Sequence, residues 1–112
     1  MLNQVVLVGR LTSDPAAVEL DGGHKKSVLC VAVPRSYKNS NGEYDTDFIR
    51  CVLWDAIATS TSEYCKKVDI VGIKGRIKVS SYEKDDKKEY ITEVVAEKVT
   101  FLSSRKQYEA EK

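Results

Sequence analysis

A chain of 112 residues has room for one domain and little more. Hydrophobic residues make up 42% and charged residues 31%, a balance that suits a packed globular domain and excludes a disordered chain. The formal net charge is only +1, so bulk charge gives no argument for a nucleic-acid partner, and any such argument must rest on where the charges sit.

Apolar, β-branched runs recur along the chain between turn signals. The first predicted strand is Asn3 to Leu11, ended by Asp14-Pro15. Gly22-Gly23 precedes a second, Ser27 to Val33. The polar stretch Tyr37 to Asp47 contains Asn41-Gly42, a tight-turn signal, and leads to a third strand, Phe48 to Trp54. These two strands form a hairpin with a long tip. Asp55 to Lys67 breaks the strand pattern. Asp55 suits a helix N-cap, Lys66 and Lys67 suit its end, and Ile57, Thr61, Tyr64, Cys65 and Val68 share one helical face. A fourth strand runs Asp69 to Tyr82, a charged tip follows at Glu83 to Glu89, and a fifth strand runs Tyr90 to Leu102. Strands with one short helix between the third and fourth match the five-stranded Greek-key barrel called the OB-fold, an all-β class. The domain is expected over 1–103, and 104–112 is expected to be a polar, disordered extension.

Side chains alternate across a strand, so its two faces can be read separately. In the third strand Ile49, Cys51 and Leu53 make a core face, while Phe48, Arg50, Val52 and Trp54 face the other way. Two aromatics flanking an arginine suit a surface on which bases stack while phosphates pair with the cation. The fourth strand repeats the pattern. Val71, Ile73, Ile77 and Val79 face one way, and Lys74, Arg76, Lys78 and Tyr82 the other. A solvated strand face explains three cations in a row equally well, but two adjacent strands sharing the arrangement favours a binding surface. Arg35, Tyr37 and Lys38 repeat the mixture at the root of the long hairpin.

Other features point away from chemistry. Cys30, Cys51 and Cys65 form no CxxC pair and read as buried free thiols. His24 is the one histidine, in a polar loop, and is expected to be solvated; no metal site or cofactor is expected. Gly72-Ile73-Lys74-Gly75 lies inside a strand, so its glycines mark close backbone packing rather than a phosphate loop. Asp85, Asp86 and Glu89 are interleaved with lysines and read as solubilising, and no set of nucleophile, base and metal exists for an enzyme. The start MLNQVVLVGRLTSDP lacks the pattern of a signal peptide, and no apolar run approaches the about 20 residues that cross a bilayer, so a cytoplasmic protein without a membrane partner is expected.

The segments LNQVVLVGRLTSDP, VAVPRSYKNSNGE, DFIRCVLW, SEYCKK, VGIKGRI and ITEVVAEKV, in that order and spacing, resemble the bacterial single-stranded DNA-binding protein family over positions 2 to 102. The resemblance implies a homotetrameric OB-fold that binds and protects single-stranded DNA on the nucleoid during replication, recombination or repair. It places the base-stacking aromatics at Tyr37, Phe48, Trp54 and Tyr82, and implies phosphate contacts from nearby basic residues: Arg10, Arg35, Lys38, Arg50, Lys74, Arg76 and Lys78. Ile49, among the apolar residues of a small domain with much strand edge to cover, is expected at the oligomer interface. The chain departs from the family pattern in three places. Val79-Ser80-Ser81 is less basic than usual, and Val68-Asp69 stands where Gly-Ser is common. The closing SSRKQYEAEK has no acidic, phenylalanine-tipped peptide, so tail-dependent recruitment of other proteins is not expected. An RNA-binding barrel of cold-shock type is the alternative, ahead of a purely structural OB-domain.

Overall fold

The structure is a computed structural model and describes residues 1–103, so the expectation for 104–112 lies outside the described residues. In chain order the elements are β1 (Val5–Leu11), β2 (Val18–Glu19), a short 3-10 turn, β3 (Lys25–Lys38), β4 (Tyr44–Trp54), α1 (Asp55–Tyr64), β5 (Ile70–Lys84) and β6 (Lys87–Ser103). The five long strands form a closed barrel with one helix, as expected; β2 is a two-residue addition on the β3 edge. Hydrogen-bonded order runs β1-β5-β6-β4-β3, and β3 closes the ring by pairing with β1 through Arg10–Ala32 and Leu11–Val31. The β4–β6 pairing is parallel and the other long pairings are antiparallel.

The core follows from the period-two pattern. Leu29 and Val31 on β3, Cys51 and Leu53 on β4, and Val71 and Ile73 on β5 point inward and are sealed from water. Each such side chain contributes about 1.5–3 kcal/mol on burial. The hairpins run further than the sequence pattern suggests. Tyr37 and Lys38 belong to β3, and the polar stretch before Phe48 is strand from Tyr44 on. Polar residues hold this extension. The Asn39 carboxamide oxygen accepts the backbone N–H groups of Asn41 and Glu43 at 2.9 and 3.0 Å, closing the tip with Gly42 at φ +77. The second tip is tighter. Asp85 and Asp86 sit at φ +52 and +63 between Lys84 and Lys87, the paired positive angles that suit a two-residue hairpin turn.

Three local expectations change. Asp55 does not cap the helix; its carboxylate instead accepts the Lys25 backbone N–H at 3.1 Å and lies 3.3 Å from His24 Nδ1. The helix stops at Tyr64, before Lys66 and Lys67, and buries Ala58 and Thr61, while Tyr64 turns outward against Phe101 with ring centroids 6.0 Å apart. On β5, Ile77 and Val79 keep the parity of Val71 and Ile73 but are 45% and 57% exposed, because the hairpin has left the barrel by that point.

The turn into β5 carries strain. Val68 has φ +83, a region that glycine occupies freely and a β-branched residue does not. It is held there by its N–H to the Leu11 carbonyl at 2.9 Å and by Arg10, which donates to its carbonyl at 3.1 Å. Val68→Gly therefore raises stability by about 1 kcal/mol. A urea melt shows this as a higher midpoint with an unchanged slope, and a lower midpoint overturns it.

Candidate nucleic-acid interface

Residues paired across neighbouring strands share a face, so the register assembles the outward surface. On β4, Trp54 stands opposite Lys26, Arg50 opposite Cys30, and Phe48 opposite Ala32, which in turn faces Arg10 on β1. On the other side β6 runs parallel to β4, with Val52 beside Val95. Across β6 lies β5, where Arg76 pairs with Val95, Lys78 with Glu93 and Tyr82 with Glu89. Lys74 continues the row towards Val6 on β1. One outward face thus holds Arg10, Phe48, Arg50, Trp54, Lys74, Arg76, Lys78 and Tyr82. Phe48 is 67% and Trp54 37% exposed, which leaves ring surface for a stacking partner. Val52 shares this parity yet is buried, because a short side chain between Val28 and Val95 is closed off on both sides.

Arg35 and Tyr37 do not join that surface so directly. Arg35 has the parity of Val33 and Asp47, the face away from Phe48. It binds Asp47 through Nε and Nη2, the latter at 2.9 Å, and reaches Asp45 at 3.7 Å. The hydrogen bond from Arg35 holds the Asp47 carboxyl below its ordinary range, and the same bond raises the Arg35 guanidinium. Tyr37 is exposed. Lys38 lies over the Tyr44 ring, 5.8 Å from its centroid.

The cations differ in how free they are. Lys74, Arg76 and Lys78 make no hydrogen bond or ion pair among the described residues, whereas Arg50 donates through Nε to Glu93 at 3.0 Å. Ile49 is half-buried at an open, mainly apolar hollow of about 250 Å³, lined with Val5, Leu7, Ile77 and Val94 and also by Arg50, Thr92 and Glu93. Burial pushes the Cys51 and Cys65 thiols up to about 11, so neither supplies a thiolate nucleophile at neutral pH. No group of three or more His, Cys, Asp or Glu among the described residues is placed to hold a metal ion, and no helix is long and apolar enough to cross a membrane.

Sequence reasoning missed several members. Tyr44 has the same parity as Phe48 and is exposed; the extended β4 reveals it, and the tip assigned to a loop hid it. Lys26 sits over Trp54, 5.3 Å from the ring centroid, a contact visible only through the β3–β4 register. Tyr90, with Lys88 at 5.7 Å, pairs with Ser81 and so lies on the opposite side of the β5–β6 hairpin from Tyr82.

The single-strand binding protein family model matches residues 2–102, almost the whole described chain. The chain belongs to that family. Its members are binding proteins rather than enzymes. This family member is 42% identical over 106 residues to single-stranded DNA-binding protein B of Bacillus subtilis, covering 94% of each chain. It is 43% identical to single-stranded DNA-binding protein 3 of Listeria innocua, where it spans 66% of the relative's length. Among solved structures it resembles the Plasmodium falciparum SSB in complex with single-stranded DNA, with a TM-score of 0.80, 25% identity, and 92% and 96% of the two chains covered. The Thermus aquaticus single-stranded DNA-binding protein, a deletion mutant carrying R190A, gives 0.78 at 27% identity, over 95% of this chain and 53% of that one.

Proposed function

We propose that this chain binds and protects single-stranded DNA without sequence preference, on the nucleoid in the cytoplasm, during replication, recombination or repair. One observation carries the reading. The outward face unites exposed Phe48, Trp54 and Tyr82 with the cations Lys74, Arg76 and Lys78, which have no partner among the described residues. Every base has a flat π-face, so stacking tolerates any sequence, while the cations track a repeating phosphate backbone. Arg10 and Arg50 extend the charge on the same face, Lys38 continues it along the β3–β4 hairpin beside Tyr44, and Arg35 and Tyr37 would meet DNA only where it wraps to the hairpin's other side. The relatives named above for single-stranded DNA binding support the choice of ligand.

Titration with poly(dT) at several salt concentrations tests this. Binding should quench the Trp54 fluorescence and weaken steadily with salt, since each neutralised phosphate releases counterions. A matched RNA oligomer that binds more tightly favours the cold-shock reading, because only the treatment of the 2′-OH separates the two ligands. Binding to neither leaves a structural domain.

The assembled form we propose is a homotetramer. Val6 and Val8 on β1 and Ile77 and Val79 on β5 are exposed apolar side chains, and Ile49 lines the hollow beside Ile77. A small barrel that exposes this much apolar strand surface gains by covering it with copies of itself. Sedimentation at micromolar concentration should give the mass of four chains; a monomer contradicts the assembly and leaves the binding face untouched.

A further inference from the structure

Within this outward face of aromatics and cations, β6 contributes two carboxylates, Glu89 opposite Tyr82 and Glu93 among the cations. Glu93 stands directly opposite Lys78 in the β5–β6 register, and Arg76 is the next outward residue on β5. From the other side, Arg50 on β4 donates to the Glu93 carboxylate at 3.0 Å. The Glu93 side chain is 13% exposed and that of Arg50 is 49% exposed, so the acid lies in the floor and the guanidinium rises from it. Only Nε of Arg50 is engaged; its two terminal nitrogens have no hydrogen bond among the described residues.

We propose that Glu93 competes with DNA phosphate for Arg50 and so sets the binding strength of the face below what its cations allow. The inference rests on the reading of this face as a single-stranded DNA site. The physical case has two parts. An anion placed between Arg50 and Lys78 lies well within the screening length of about 8 Å at physiological salt, so it lowers the potential felt by an arriving phosphate. An arginine already paired also releases fewer counterions when it meets a phosphate, since part of its charge is answered from inside the protein. A nearly buried acid between two cations also relieves their mutual repulsion, which is a structural role, and the two roles predict opposite outcomes when the charge is removed.

Glu93→Gln separates them, because the amide oxygen still accepts from Arg50 Nε while the negative charge is gone. Poly(dT) affinity should rise by about three- to tenfold at moderate salt, and the slope of log affinity against log salt should steepen by about 0.7. Glu93→Thr removes the charge with a residue suited to a strand and should shift both quantities the same way, which keeps the test open if the amide disturbs the fold. In an Arg50→Gln background the gain from Glu93→Gln should shrink, because the competitor has lost the cation it competes for. A folded Glu93→Gln protein that binds no more tightly, or more weakly, overturns the proposal, as does an equal gain with and without Arg50. Wild-type protein that fails to bind poly(dT) removes the DNA reading and this inference together; wild-type protein that binds while neither variant binds more tightly removes this inference alone.

Discussion

Replacing Gly75 with alanine destabilises the barrel by about 3 kcal/mol, the upper end of what forcing atoms into a packed interior costs. A Cβ at this position falls on the Val95 carbonyl oxygen, and lies 2.9 Å from the Val95 carbonyl carbon and 3.1 Å from the Ala96 Cα. All three are backbone atoms of β6. They sit where the β5–β6 register shifts between Lys74 and Gly75, and Val95 is also tied to Val52 by the parallel pairing. Strand β6 cannot retreat without loosening both ladders. Gly72, three residues earlier on the same strand, is the control. Its Cβ would meet the Leu102 side chain at 3.4 Å, the Thr100 Cβ at 3.8 Å and the Leu7 carbonyl oxygen at 3.9 Å, all ordinary contacts. Gly72→Ala should stay within about 0.5 kcal/mol of wild type. Urea melts of the two variants check this pair. Equal midpoints would show that β6 gives way more easily than its backbone bonding implies. For a domain with an ordinary stability of about 5–15 kcal/mol, the Gly75 change is a large fraction of the whole.

Trp54→Ala weakens poly(dT) binding by about 1–3 kcal/mol, the range for removing one base–aromatic stack. The salt dependence barely changes, because no phosphate contact is lost. Lys78→Ala gives the complementary result: weaker binding to all sequences alike, with the slope of log affinity against log salt shallower by about 0.7. Trp54 is the one tryptophan, so its replacement removes the intrinsic signal and both variants are read by anisotropy of a labelled oligonucleotide. Both proteins stay folded. Lys78 is exposed with no partner among the described residues, and Trp54, 37% exposed at the end of β4, gives up its contact with Lys26, worth about 0.5–1 kcal/mol, together with part of its covered ring area but none of the sealed core. A Trp54→Ala protein whose salt slope flattens, beside a Lys78→Ala protein whose slope is unchanged, means that stacking and charge have been assigned to the wrong residues. A Trp54→Ala protein that unfolds places the indole in the core.

Much of the architecture was legible before any coordinates. Alternating runs such as Ile49, Cys51, Leu53 against Phe48, Arg50, Trp54 state which side of a strand meets water, because a strand has only two faces and the apolar one must be covered. The same parity located most of the candidate site on β4 and β5. Strand ends were not legible. The polar ladders at Asn39 to Asp47 and at Lys84 to Lys87 are held by hydrogen bonds and turn geometry, which leave no hydrophobic period to read. Asp55 looked like a cap from its position alone, yet the Lys25 N–H, 30 residues away in sequence, takes its carboxylate.

The sequence by itself determined the five long strands, the helix position, most of the inward-facing core and the aromatic and cationic composition of the outward face, since each follows from local alternation and residue type. Only the tertiary structure decided which of those charges are free. Arg35 and Arg50 read like Lys74, Arg76 and Lys78 in the sequence, but Asp47 and Glu93 engage them across strands, while the other three have no such partner among the described residues. It also decided that a Cβ would strike the β6 backbone at Gly75 but meet ordinary contacts at Gly72, and that Ile77 and Val79 are exposed rather than sealed. In every case the deciding neighbour stands on a different strand, and pairing between strands depends on register and closure, which periodicity within one strand does not encode.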